Sequence, residues 1–150
     1  MLSFTTSLSP KSDAFALFVS EKYEYKDNKN ILNKEIKKKI DLFLKSLKEK
    51  KRQEEISSFD ISDKNKCFVI KTKQKYEKYY FEEIGGTFFT YIKNHKAINT
   101  IDIYADSLNE RNNELPKIFP QFIFGFNLKS YTFNKYKTLN KAEVNKKINF

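Results

Sequence analysis

The stretch AFALFVS, residues 14–20, decides the fold class of this chain. Its residues are almost all apolar, and a Ser-Pro turn at residues 9–10 precedes it. A short apolar run bounded by a turn is typical of a β-strand that is buried on both faces. Such a strand needs helices packed above and below its sheet, so the stretch predicts an α/β sandwich.

The segment after this strand has a helical pattern. Apolar residues recur there at intervals of three and four, namely Leu32, Ile36, Ile40, Phe43 and Leu47. Lysines occupy the opposite side of the same pattern, namely Lys34, Lys37, Lys38, Lys45 and Lys48. An apolar stripe opposed by charges predicts an amphipathic helix over residues 31–51.

The rest of the chain continues this alternation of strands and helices. Further helices are predicted over residues 77–95 and 116–131, the latter with prolines in its first turns. Strands are predicted over residues 2–8, 56–62, 67–73, 98–106 and 144–150. Residues 1–150 therefore form one domain, a three-layer α/β/α sandwich whose mixed, mostly parallel sheet has about six strands.

Composition excludes several classes of protein. An apolar content of 39% is sufficient for a hydrophobic core, and no apolar run approaches the length of a membrane span. The first residues lack the basic and apolar regions of a signal peptide, so we expect none. A single cysteine, Cys67, fits a reducing compartment, and we expect a cytosolic location.

Side chains that could carry chemistry are sparse, and each has a simpler explanation. His95 is the only histidine, and we expect it to cap the end of the second helix. Cys67 resembles a small buried hydrophobic residue, while the adjacent Glu82 and Glu83 resemble solvated charges. Asp102 could face a cleft, but it stands alone. The sequence thus predicts no catalytic, metal-binding or cofactor-binding residue.

The Gly85-Gly86 pair resembles a phosphate-binding loop only superficially. It lacks the Lys-Ser/Thr of a P-loop and lies within a helical period, so we expect close packing of this helix onto the sheet. The segment KTKQKYEKYY, residues 71–80, follows a predicted strand and contains no glycine. Nucleotide binding through a glycine-rich loop is therefore disfavoured.

The stretch FGFNLKSYTFNKYKT, residues 124–138, begins in the third predicted helix and is expected to continue as a ribbon. Its second half resembles the Ser-Tyr-x-Phe-x-x-Tyr-Lys sequence that closes the N-terminal domain of the M17 leucyl aminopeptidases. The matching positions are Ser130, Tyr131, Phe133, Tyr136, Lys137 and Thr138. A weaker match, residues 81–93, resembles the helix that follows the central strand in that family.

This resemblance implies a macro-domain-like fold and a non-catalytic role in assembling or regulating a cytosolic aminopeptidase of peptide and protein turnover. The family's two divalent metal ions, Zn or Mn, and its NTDAEGR motif belong to a C-terminal catalytic domain. That motif does not occur here, so we expect the catalytic domain to be absent and the chain to be inactive as a peptidase. The implied partners are the catalytic domain and the other subunits of a homo-hexamer, with no membrane.

Two alternatives remain open beside this resemblance. The net charge of +10 and the five lysines of the first helix could bind phosphate backbones, which predicts non-specific DNA binding. Arginine, which reads bases through its planar fork, is scarce, and a solvated lysine surface is the interpretation we favour. Binding or hydrolysis of ADP-ribose in a macro-type site is disfavoured, because the glycines of a phosphate loop are missing.

Overall fold

The computed structural model describes residues 11–108, 114–137 and 147–149. Its strands are β1 (Ala14–Val19), β2 (Ile56–Asp60), β3 (Lys66–Lys71), β4 (Thr100–Tyr104) and β5 (Lys147–Asn149). Its α-helices are α1 (Lys34–Glu49), α2 (Tyr80–Ile92) and α3 (Leu115–Lys137), and a short 3-10 helix covers Ala105–Ser107. Each predicted element that falls on these residues is present, usually with shorter ends.

The strands form one mixed sheet in the order β2-β3-β1-β4-β5. Strand β1 is parallel to both β3 and β4, β5 is parallel to β4, and only β2 is antiparallel to its neighbour β3. The predicted mixed, mostly parallel sheet is confirmed, with five strands in the described part of the chain instead of about six. The remaining predicted strand, residues 2–8, lies outside the described residues.

The direction of the connections explains why helices cover both faces. The chain passes from β1 through α1 to β3 on one side of β1, and from β3 through α2 to β4 on the other. Right-handed crossovers in opposite directions place their helices on opposite faces of the sheet. Strand β1 is therefore buried on both sides, with Leu17 packed in the α1 cluster and Phe18 in the α2/α3 cluster.

Helix α1 is shorter than the predicted range 31–51 because its ends are set by capping. The side chain of Asn33 accepts a hydrogen bond from the backbone N–H of Ile36 at 2.8 Å, which fixes the first turn. Lys51 has a φ of 48°, a left-handed conformation outside the helix. Ile40, Leu44 and Leu47 are the buried residues of this helix.

Helices α2 and α3 touch through their backbones at two glycines. A Cβ atom on Gly85 would overlap the carbonyl oxygen of Phe122, and one on Gly125 would overlap the carbonyl oxygen of Glu82. The prediction of close packing is confirmed for Gly85 but not for Gly86, whose contacts are ordinary, and the predicted partner is wrong: Gly85 packs on α3 and not on the sheet. Only glycine allows two helix backbones to approach this closely.

Helix α3 runs six residues beyond the predicted end at residue 131, so the ribbon expected after it is wrong. No glycine or proline interrupts residues 126–137, and a helix continues where nothing breaks it. Pro120 lies inside the helix near its start, where it removes a single backbone hydrogen bond.

Within the described part of the chain, no helix combines the length and apolar character needed to cross a bilayer.

We predict that Gly85→Ala and Gly125→Ala each lower the free energy of unfolding by about 1–3 kcal/mol, because the new methyl group would force the two helices apart. Gly86 provides the matched control. A Cβ there would lie 3.6 Å from the carbonyl oxygen of Gly125, an ordinary contact. Gly86→Ala should therefore be neutral or should stabilise the protein by up to about 1 kcal/mol through helix propensity. Urea denaturation followed by circular dichroism measures all three, and equal effects at the three positions would contradict the close contact.

Candidate functional site

The parallel strands end together at one edge of the sheet, and a cleft of about 200 Å³ lies there. Strands β1 and β4 are neighbours whose outgoing connections run in opposite directions, a topological switch point where open α/β sheets bind ligands. The residues that follow β1, β3 and β4 line the cleft, namely Ser20, Glu21, Glu24, Tyr25, Lys26, Thr72, Lys73, Gln74, Ser107 and Leu108.

Two hydroxyl groups of the cleft, those of Thr72 and Ser107, are bonded to the strand ends. Ser107 Oγ accepts from the N–H of Phe18 at 2.8 Å and donates to the carbonyl of Tyr104, which ties β1 to β4. Thr72 Oγ1 donates to the carbonyl of Val19 at 2.9 Å, which ties β1 to β3. Ser20 Oγ accepts from two backbone N–H groups of its own turn. These groups hold the end of the sheet together.

The backbone around the cleft offers few free donors to an anion. The N–H of Thr72 donates to the carbonyl of Val19 at 2.8 Å, and the N–H of Lys73 donates to the hydroxyl of Tyr80 at 2.9 Å. The three glycines of the chain all lie in α2 and α3, far along the chain from these loops. Helix α2 also carries Glu82 and Glu83 in its first turn, where their charge opposes an anion.

Asp27 fixes the loop between β1 and α1. Its carboxylate accepts hydrogen bonds from the N–H groups of Ile31 and Leu32 at 2.8 and 3.1 Å and from the hydroxyl of Tyr104 at 2.8 Å. Lys37 adds an ion pair at 2.9 Å, and the carboxylate is only 3% exposed. Burial alone would raise the pKa of Asp27, but these hydrogen bonds outweigh it and hold the pKa below its ordinary value.

The sequence did not single out Asp27 or Tyr104. The available signal was local: an aspartate in the turn-forming segment KDNKN, four and five residues before the N–H groups that it accepts. The bond to Tyr104 spans 77 residues and depends on β4 lying beside β1. A local pattern cannot report such a contact.

The lysines predicted to contact nucleic acid lie on α1, away from the cleft, and they are not equivalent. The side chain of Lys37 forms the ion pair with Asp27 and also donates a hydrogen bond to the side chain of Asn30 at 3.3 Å. The side chains of the other four are exposed and make no hydrogen bond or ion pair with another described residue, namely Lys34, Lys38, Lys45 and Lys48. Leu42, 60% exposed, lies among them on the helix surface.

The remaining predicted residues are dispersed. Cys67 is fully buried in β3, and burial raises the pKa of its thiol, as expected for a packing residue. The ring of His95 lies beyond the end of α2 against Phe68 and Tyr91. Asp102 is buried within β4, in register with Phe15, and does not line the cleft. Among the described residues, no three His, Cys, Asp or Glu side chains come together as a metal site would require.

The family-motif residues that the structure describes lie on α3. Ser130 is half-buried and Tyr131 is 68% exposed. Phe133, Tyr136 and Lys137 belong to the last turns of the helix, and Thr138 lies outside the described residues. The described part of the motif therefore lies on α3 and not among the residues that line the cleft.

Comparison with known proteins defines the class. No protein-family model matches the sequence, and no curated protein does either. The macrodomain of Thermus aquaticus DarG matches with a TM-score of 0.64 at 13% identity, over 99% of this chain and 96% of that one. This protein therefore has an α/β macro-domain-like fold.

A leucine aminopeptidase shares the same fold. A mutant form of the tomato leucine aminopeptidase matches with a TM-score of 0.63 at 11% identity, over 99% of this chain. The match covers 32% of the aminopeptidase chain, so this protein spans about a third of that enzyme's length. At these identities, the two likenesses concern the fold.

We predict that Asp27→Asn lowers the free energy of unfolding by about 1–3 kcal/mol at pH 7, because buried donors lose a charged acceptor. A carboxyl group with a lowered pKa stabilises the fold above its ordinary pKa of 3.8, and the contribution is lost as the pH falls through its lower folded value. The difference between wild type and Asp27→Asn should therefore shrink below about pH 4. Urea denaturation across this range measures it.

The matched control is Asp63→Asn, at an exposed aspartate in the turn between β2 and β3. This variant should unfold like the wild type at every pH. An Asp27→Asn variant that is as stable as Asp63→Asn, or a difference that does not change with pH, would contradict the role of Asp27.

Proposed function

We propose that this chain is the non-catalytic N-terminal assembly or regulatory domain of a cytosolic, metal-dependent leucyl aminopeptidase of the M17 family. The observation that carries the proposal is the likeness of nearly the whole chain to about a third of a leucine aminopeptidase. The motif that begins at Ser130 and Tyr131 supports the same family. The two Zn or Mn ions of the enzyme would then belong to its catalytic domain.

The described residues support a role in binding through the outer surface. The hydroxyls of Thr72 and Ser107 in the cleft are bonded to strand ends, and the thiol of Cys67 is buried. The apolar side chains that remain exposed lie mainly on helices, with Phe124 and Leu128 on α3 at 57% and 48% exposure. A domain with this distribution contributes contacts to an assembly, while the chemistry takes place in another domain.

We predict that the purified chain releases no leucine from leucyl substrates, with or without added Zn²⁺ or Mn²⁺. It should instead bind the separately produced catalytic domain of an M17 aminopeptidase from the same genome. Size-exclusion chromatography with light scattering measures the complex, and a leucyl-anilide assay measures the activity. The catalytic domain alone is the control for both. Metal-dependent turnover by the chain, or the absence of any complex, would overturn the proposal.

A second candidate function, non-specific binding to DNA, is supported by one observation. Four exposed lysines of α1 have no partner among the described residues, so their charge is available to phosphates. Contacts of this kind position a protein on DNA without reading its sequence. The dissociation constant would be about 10⁻⁴ to 10⁻⁶ M at physiological salt and would rise steeply with salt.

We predict that, if this second function operates, the triple variant Lys34/Lys38/Lys45→Glu loses binding to a random DNA duplex at low salt. Its control is Lys75/Lys96/Lys117→Glu, which lies on other elements and gives the same net charge, +10 − 6 = +4. Fluorescence anisotropy at two salt concentrations measures both variants. If the two variants bind equally, the loss of DNA binding is due to net charge and not to the lysines of α1. If the wild type does not bind DNA, these lysines form only a solvated surface.

A further inference from the structure

The surface of α2 and α3 that faces away from the sheet carries an apolar ridge. Phe124, Leu128 and Tyr131 follow each other on α3 at intervals of four and three residues, so they lie on one side of the helix. Their exposed fractions are 57%, 48% and 68%. Large exposed residues that form a continuous patch mark a contact surface, whereas isolated ones do not.

A groove of about 560 Å³ runs beside this ridge between the two helices. Gly86 and Gly125 contribute no side chains to it. Thr87 and Thr90 also line it, and their hydroxyls donate back to carbonyls of α2 at 2.9 and 3.0 Å. With these hydroxyls satisfied, the groove is a shallow surface of backbone and small side chains that can receive a large apolar side chain.

The groove also has charges of opposite sign on its two sides. Glu82 and Glu83 line it from the first turn of α2, and Lys129 lines it from α3. None of the three makes an ion pair with another described residue. The acidic side lies near the start of α2, while Lys129 lies in the second half of α3.

We propose that a second copy of this chain docks on this α2/α3 face through a two-fold axis. Both helices follow strands of the parallel set, so they run in the same direction. A two-fold axis parallel to them, along the groove, exchanges the two sides of the face, so α2 of one copy lies opposite α3 of the other and runs in the same direction. Within one copy Gly125 lies against Glu82 and Gly86 lies beside Lys129. This axis therefore brings Glu83 of one copy to Lys129 of the other.

The occupant is a second copy because the face contains both halves of a complementary pair. An isologous interface requires one surface that is complementary to itself. Here the ridge of Phe124 and Tyr131 matches the small-residue groove, and the acidic side matches the basic side. The dimer does not depend on the aminopeptidase assignment, because it concerns this chain alone.

Sedimentation equilibrium of the purified chain tests the proposal. We expect a monomer–dimer equilibrium, weakened at least about tenfold by Glu83→Lys and by Lys129→Glu, because each replaces two attractions by two repulsions. Mixing these two variants, or combining both changes in one chain, should restore association. Such a rescue requires Glu83 and Lys129 to meet across the interface.

The apolar ridge is tested separately. Phe124→Glu and Tyr131→Glu should abolish the dimer, whereas Leu42→Glu, at an equally exposed position on α1, should leave it unchanged. Thermal unfolding confirms that each variant is folded. A wild type that stays monomeric would overturn the proposal and leave the face to a different protein, such as a catalytic domain. A dimer that withstands the ridge variants, or charge variants that mixing does not rescue, would place the interface elsewhere and would also overturn it.

Discussion

The backbone contact between α2 and α3 is the constraint on which the α2/α3 layer depends. Because Gly85 and Gly125 carry no side chains, the two helices approach closely enough for the rings of Phe88 and Phe122 to meet, with their centroids 5.8 Å apart. Phe122 in turn packs edge-on against Phe18 of the central strand. The glycines thus set the position of the aromatic core, and the same contact forms the groove on the outer surface.

The opposite layer is organised by a carboxylate. Asp27 joins the loop after β1, the start of α1 and the end of β4 through Tyr104 and Lys37. Together with Thr72 and Ser107, it holds the edge of the sheet where macro-domain-like topology places its cleft. The side chains of Asp27, Thr72 and Ser107 at this edge therefore already serve the fold. This is the physical reason for proposing that the chain acts through its outer surfaces.

The sequence predicted the parts of the fold that follow from local pattern. The apolar run at residues 14–20 and the periodic residues Ile40 and Leu47 depend only on neighbouring positions, and both elements are present. Residues 71–80, which contain no glycine, include the part of the chain after β3 that lines the cleft. The partner of Gly85, the continuation of α3 and the role of Asp27 could not be predicted, because each depends on which elements become neighbours. A ribbon was also predicted after residue 131, in the stretch that resembles the aminopeptidases, but the helix continues there to Lys137.

The central claim is that the hydroxyl groups of Ser20, Thr72 and Ser107 in the cleft are occupied by the protein's own hydrogen bonds. A titration of the ¹⁵N-labelled chain with ADP-ribose, followed by heteronuclear NMR, tests it most directly. The account predicts no saturable shift of the amide signals of residues 20–26 and 72–74, because the hydroxyls of Thr72 and Ser107 are bonded to strand ends and that of Ser20 to its own turn. Saturable shifts confined to those residues would contradict it and would make the cleft a ligand site.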